Sequence, residues 1–147
     1  VGETGGAVTL CAVWTTVGDP IDYSSGATIL KALGLNLKEL SSGKRQGQLA
    51  ITKRGPSLAR KYLYFWALRS VKHPEVRRWY EAYQKVGKGR STEYRKMKGL
   101  VALMRKLVCA LRHCRHTGET FAYGKLFPGR PLEKRRRRRR RRRTPQT

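Results

Sequence analysis

The sequence predicts a mostly α-helical protein with one small extended segment and a basic, disordered tail. Three observations carry that expectation. Residues 56–117 are dominated by apolar residues at helical spacing. Residues 35–55, LNLKELSSGKRQGQLAITKRG, hold the chain's clearest short alternation of apolar and polar residues, interrupted by glycines. Residues 135–143 are nine consecutive arginines.

The elements follow in order. VGETGGAVTLCAVWTTV reads as a glycine-rich entry and then an apolar helix, and the sequence GDP at 18–20 as a turn. Ser24 or Ser25 can cap a short helix, ATILKAL, that Gly34 ends. LNLKEL and GQLAIT are strand-like, and a two-stranded hairpin around an SSGKRQG loop fits them. Pro56 suits the first turn of the next helix. Between Tyr62 and Leu68 that helix is apolar on nearly all sides, which predicts a central, buried position. Pro74 opens another helix whose Val76, Trp79, Tyr80 and Tyr83 share a face, and Gly87 and Gly89 break it. The last helix keeps its period over Met97, Leu100, Val101, Met104, Leu107, Val108 and Leu111, and Gly118 ends it. The expected organisation is a first unit over 1–75, a helical extension over 76–120 and a disordered tail over 121–147.

Charge limits the partners. The chain of 147 residues has 34 Lys and Arg against 9 Asp and Glu, a net charge of +25. Without the nine-arginine block the charge is still 25 − 9 = +16. Such a body implies a polyanionic partner, DNA or RNA foremost. No segment approaches the ~20 apolar residues of a spanning helix, so a membrane partner is not expected. Three cysteines, Cys11, Cys109 and Cys114, are too few and uneven for a disulfide framework, and fit a reducing cytoplasm. The opening on Val1 reads as the interior of a larger protein.

Four candidate sites stand out. CALRHCRH brings Cys109, His113, Cys114 and His116 close in sequence. Zinc sites need four ligands at better-defined spacing, so a buried cysteine and a cationic helix end are the better reading. Asp19 and Asp22 flank a proline turn, where a cap role outweighs metal chemistry. Tyr62, Tyr64, Trp66, Trp79, Tyr80 and Tyr83 are interleaved with cations, as in single-strand binders, yet helical spacing places most of them in a core. Finally, Ser41 and Ser42 precede Gly43, with Lys44, Arg45, Lys53 and Arg54 around them and Arg60 on the next helix. Hydroxyls ringed by cations suit phosphate contact, although a polar turn is the commoner use of SSG. Residue chemistry alone supports a basic nucleic-acid-binding helical module without catalysis.

The order of motifs adds to this. VGETGGAVTL, VGDPIDYSS with ALGL, SSGK with ITKRG and LARKYL, and VALMRKL together resemble the C-terminal domain of the IS-110/IS-116/IS-902 transposases, over about residues 1–115. The resemblance implies a serine that attacks a DNA phosphate: Ser42, directly before Gly43, with Ser41 as the alternative. It assigns Lys44, Arg45, Lys53, Arg54 and Arg60 to nucleic acid. It implies no cofactor in this chain, with Mg²⁺ held by the DEDD acidic set of a separate RuvC-like domain, so that this domain is inactive alone. It also implies DNA and an element-encoded guide RNA as partners, a homo-oligomer of the full-length enzyme, and a bacterial or archaeal, nucleoid-associated, cytoplasmic location. Gly6, Lys44 and Pro56 depart from the family pattern, and the arginine tail is foreign to it.

Overall fold

The computed structural model describes residues 7–42, 45–85 and 92–127, and side chains for all of these but 7 and 40–48. Five helices and one two-stranded sheet follow in chain order. The expected helical class with a small strand pair is thus observed.

Helix α1, Ala7–Val17, turns Thr9, Ala12 and Val13 inward and packs on the third helix. Its threonine-rich end satisfies its hydroxyls on the helix itself: Thr15 Oγ1 donates to the Cys11 carbonyl at 2.8 Å and Thr16 Oγ1 to the Ala12 carbonyl at 2.7 Å. A short 3-10 turn, Pro20–Asp22, follows, with the Asp19 carboxylate accepting from the Ile21 N–H at 3.0 Å. Asp19 is therefore the cap that its place before Pro20 predicted.

Helix α2, Gly26–Ala32, begins with a reciprocal cap. Ser25 Oγ accepts from the Thr28 N–H at 3.2 Å, and Thr28 Oγ1 accepts from the Ser25 N–H at 3.1 Å. Of the two candidate caps, Ser25 is the one used. The helix closes in a left-handed turn at Gly34: Leu35 N–H reaches the Leu30 carbonyl at 2.8 Å and Gly34 N–H the Lys31 carbonyl at 3.0 Å. Both leucines are buried, the apolar contact that accompanies this stop.

Strands β1, Leu37–Ser42, and β2, Arg45–Ile51, form an antiparallel hairpin. The sequence reading put both serines in a loop; instead they complete β1, and only 43–44, outside the described residues, separate the strands. Pairing runs Leu37 to Ile51 through Leu40 to Gln48, then slips by one residue before Ser42 meets Arg45. The slip sets Gln46 and Gly47 of β2 against Ser41 alone, a bulge of the kind glycine permits.

Helix α3, Ser57–Ser70, buries Ala59, Leu63, Trp66, Ala67 and Ser70. It is not buried on all sides. Phe65 is 42% exposed and Leu68 40%, because among the described residues neighbours cover one stripe of the helix only. Helix α4, Pro74–Lys85, buries Val76 and half-buries Trp79, Tyr80 and Tyr83, the face its spacing predicted. The expected break at Gly87 and Gly89 lies outside the described residues.

Helix α5, Thr92–Thr117, has 26 residues, about 39 Å of helix. It is the spine of the fold: Leu100, Leu103, Met104, Leu107 and Val108 are buried, and it touches α2, α3 and α4. Met97, assigned to its apolar face, is 50% exposed, because it sits at the end where fewer elements cover the helix. The core joins Val13, Ile29, Leu33, Leu63 and Trp66 to these α5 side chains.

The packed chain extends beyond α5. Residues Tyr123–Leu126 form a 3-10 turn in which Tyr123 and Leu126 are buried. Ser70 Oγ donates to the Trp66 carbonyl at 2.8 Å, so the Tyr123 hydroxyl donates to Ser70 Oγ at 2.9 Å. Phe127 stacks on Trp79 with centroids 4.9 Å apart, and Lys106 Nζ lies 5.2 Å from the Phe127 ring. The expected tail over 121–147 thus holds packed residues through Phe127, and its remainder, arginines included, lies outside the described residues. Among the described residues no helix is long and apolar enough to cross a membrane.

Candidate nucleic-acid interface around the serine hairpin

The hairpin rests on a junction of two turns. The first ends α2 at Gly34, with φ of 68°, and the second precedes α3 at Gly55, with φ of 150°. Both conformations favour glycine. The turns also touch backbone to backbone: a Cβ on Gly34 would stand 2.7 Å from the Arg54 carbonyl oxygen, and one on Gly55 2.4 Å from that of Ala32. The glycines of ALGL and ITKRG therefore meet in space.

Hydrogen bonds continue from this junction into the hairpin. Lys53, itself left-handed at φ of 57°, donates its N–H to the Gly34 carbonyl at 2.9 Å. The Thr52 N–H donates to the Asn36 carbonyl at 3.0 Å, and Thr52 Oγ1 donates to Asn36 Oδ1 at 2.5 Å. Arg60, one turn into α3, donates from Nη1 to the Leu33 carbonyl at 3.2 Å and to the Gly55 carbonyl at 2.8 Å.

This geometry divides the predicted cations. Ser42 and Arg45 are register partners at the far end of the hairpin. Lys53 and Arg54 stand exposed at its base. Ile51 is six steps along β2 from Arg45, roughly 20 Å at a strand's rise of about 3.4 Å per residue. That is twice the screening length of about 10 Å at moderate salt. Along the backbone, then, Arg45 and the Lys53–Arg54 pair stand at opposite ends of the hairpin rather than side by side, as their closeness in sequence suggested. Lys44 lies outside the described residues, and the side chains of Ser41, Ser42 and Arg45 lie within the undescribed set.

The other candidates separate as well. Cys109 is exposed, not the buried cysteine its place on the helix suggested; its Sγ lies over Gly26, 3.0 Å from where a Cβ there would stand, and the partial desolvation there raises its thiol pKa. His113 and His116 are exposed and Cys114 is half-buried. Among the described residues no three His, Cys, Asp or Glu side chains come together to hold a metal ion. The described residues therefore do not fit a Mg²⁺ site. Trp66 is buried, and Tyr62, Tyr64, Trp79, Tyr80 and Tyr83 are half-buried. Tyr80 donates its hydroxyl to the Lys96 carbonyl at 3.1 Å, which ties α4 to α5.

Two arginines of α5 have partners that sequence reasoning missed. Arg112 donates from Nε to the Tyr23 carbonyl at 2.7 Å and from Nη2 to the Ser24 carbonyl at 2.8 Å. Arg115 forms a two-point pair with Asp19, Nη2 to Oδ2 at 2.6 Å and Nε to Oδ1 at 3.2 Å. No local signal could have found them, because the partners are 88 to 96 residues apart.

No curated protein matches the chain. A family model does, described as Transposase IS116/IS110/IS902 family, over residues 5–84, more than half of the chain. The match takes in the whole hairpin, the Gly34–Gly55 junction, α3 and nearly all of α4, and stops short of α5, although the motif resemblance ran on to about residue 115. On that match the chain belongs to the IS116/IS110/IS902 family of transposases and shares that family's general DNA-binding, transposition-related role.

Proposed function

We propose that this chain is the serine-bearing recombination domain of its transposase, with Ser42 as nucleophile and Ser41 as the neighbouring candidate. One observation carries the reading: the family match spans the entire hairpin, and Ser41 and Ser42 close its first strand with Ser42 opposite Arg45. In the proposed step Ser42 Oγ loses its proton and attacks the phosphorus of a DNA phosphodiester. The bond from phosphorus to one sugar oxygen breaks, and that oxygen takes up a proton. The product is a phosphoserine link that keeps the ester's energy for rejoining. Attack by the hydroxyl of an exchanged strand then restores Ser42. Arg45 and Lys44 would stabilise charge on the non-bridging oxygens.

Lys53 and Arg54 would contact the backbone some 20 Å away, about six base steps along one strand of duplex at ~3.4 Å each. DNA, an element-encoded guide RNA and further copies of the full-length enzyme are the partners of this reading. Its metal-dependent cleavage, with Mg²⁺, belongs to a RuvC-like acidic domain separate from the body described here.

The test is strand exchange by the complete enzyme carrying Ser42→Ala, Ser41→Ala or both. Loss of the nucleophile is expected to slow exchange by at least about a thousandfold while DNA affinity stays within about twofold. Normal recombination by the double variant would overturn the reading and leave a non-catalytic basic binding module.

A further inference from the structure

We infer that Arg60 is a positioning residue for the serine hairpin rather than a ligand of DNA. The assignment rests on the serine reading for its consequence, but on its own geometry for its mechanism. Nη1 of Arg60 bridges two carbonyls from different turns, Leu33 at 3.2 Å and Gly55 at 2.8 Å. Leu33 caps the C-terminus of α2, where carbonyls lack helical partners and attract cations. Gly55 lies just before Pro56, the N-cap of α3. Arg60 therefore ties the end of α2, the chain entering α3 and α3 itself at one nitrogen.

The hairpin springs from between these two turns, with Asn36 following one and Thr52 leading to the other. A two-stranded hairpin is marginal by itself in water. Its direction is set where it joins the helices. With its far end about 20 Å away, a tilt of about 10° at the base moves Ser42 by about 3 Å. Misplacement by about 1 Å is enough to cost a reaction about a hundredfold. A single side chain at the base thus controls whether the serine meets its phosphate, without touching either.

The experiment uses the full chain as wild type, Arg60→Met and Arg60→Lys, with two readouts. Amide hydrogen exchange is followed at Thr52 and Lys53, whose N–H groups bond across the hairpin base, and at Leu107 as the reporter of the α5 core. Arg60→Met is expected to speed exchange at Thr52 and Lys53 by about tenfold and to leave Leu107 unchanged. Arg60→Lys is expected to restore most of the protection, because one nitrogen makes both bonds. The second readout is binding to a DNA duplex between about 50 and 200 mM salt. A positioning role leaves the slope of log affinity against log salt unchanged, whereas loss of one phosphate contact lowers it by about 0.9.

Equal exchange at Thr52 and Lys53 in all three proteins overturns the assignment, and so does a slope reduced by about 0.9 in Arg60→Met. If Arg60→Met does not fold, Arg60→Gln, which keeps a donor at shorter reach, is read in the same way. If wild type does not bind the duplex, the serine reading falls, and the amide readout still decides the role of Arg60.

Discussion

Asp19 and Arg115, 96 residues apart in sequence, meet in a two-point ion pair that closes the turn after α1 onto the last turn of α5. Asp19 also caps the 3-10 turn, and the Arg115 guanidinium lies 5.8 Å from the Trp14 ring. One carboxylate thus serves both a local turn and a long-range closure.

The pair makes stability depend on pH. Arg115, and after it the Ile21 N–H, hold the Asp19 carboxyl well below the usual carboxylate range. A folded pKa below the unfolded value near about 3.9 contributes stability above that value, and the contribution is lost as pH falls through the range beneath it. Asp19→Asn is expected to be less stable than wild type at pH 7, with the difference shrinking below about pH 4. Asp19→Ala should lower the melting temperature more than Arg115→Ala, because only the former also removes the cap. Equal effects, followed by thermal unfolding, would confine Asp19 to the ion pair.

The Gly34–Gly55 junction predicts a steep cost for one methyl group. A side chain in the left-handed region costs of order 1–3 kcal/mol in strain. At Gly55 a Cβ would in addition stand 2.4 Å from the Ala32 carbonyl oxygen, a backbone atom that cannot turn aside. Gly55→Ala is expected to lower the unfolding free energy by more than about 3 kcal/mol. Gly18, with φ of 80°, would meet nothing within 4 Å, so Gly18→Ala should cost only about 1 kcal/mol. Denaturant unfolding of the two variants separates steric from purely conformational cost.

What was legible in the sequence was what is local. The cap of α2, narrowed to Ser24 or Ser25, the Gly34 stop and, apart from Met97, the period of α5 each depend on residues within one or two turns, and each is borne out. The surroundings of α3 were not legible. A run such as YLYFWAL states that a helix is apolar, but not how many elements will cover it, and Phe65 and Leu68 stay exposed. The serines misled for a related reason. SSG has turn composition, yet the bulge at Gln46 and Gly47 carries the ladder past Ser41 to Ser42. The candidate site was found by motif order, while its division along the hairpin needed three dimensions.

The packing of Tyr123 predicts that the fold needs residues beyond α5. Tyr123 is buried, donates to Ser70 Oγ, and its ring meets Phe121 edge-on at 5.2 Å and His73 at 4.6 Å. Tyr123→Phe removes only the hydroxyl, and Ser70 keeps its bond to Trp66, so a loss of about 1 kcal/mol is expected. Tyr123→Ala leaves a cavity and should cost about 3–5 kcal/mol. A chain ending after Thr117 should lose at least as much as Tyr123→Ala. Wild-type stability in that truncated chain, measured in urea, would show that the closing 3-10 turn adds nothing to the core.

The salt dependence of DNA binding should sort the cations by their partners. Lys53 and Arg54 are exposed at the hairpin base, and no described side chain is bonded to either. Each is expected to reduce the slope of log affinity against log salt by about 0.9 when changed to Ala. Arg112 is committed to the Tyr23 and Ser24 carbonyls and Arg115 to Asp19, so replacing either should leave the slope within about 0.3 of wild type. The formal charge of the body therefore overstates what a phosphate backbone can neutralise. Titration of the alanine variants on one duplex, at several salt concentrations, gives the order directly. A slope change as large for Arg112→Ala as for Lys53→Ala would place the α5 end, rather than the hairpin base, against the DNA.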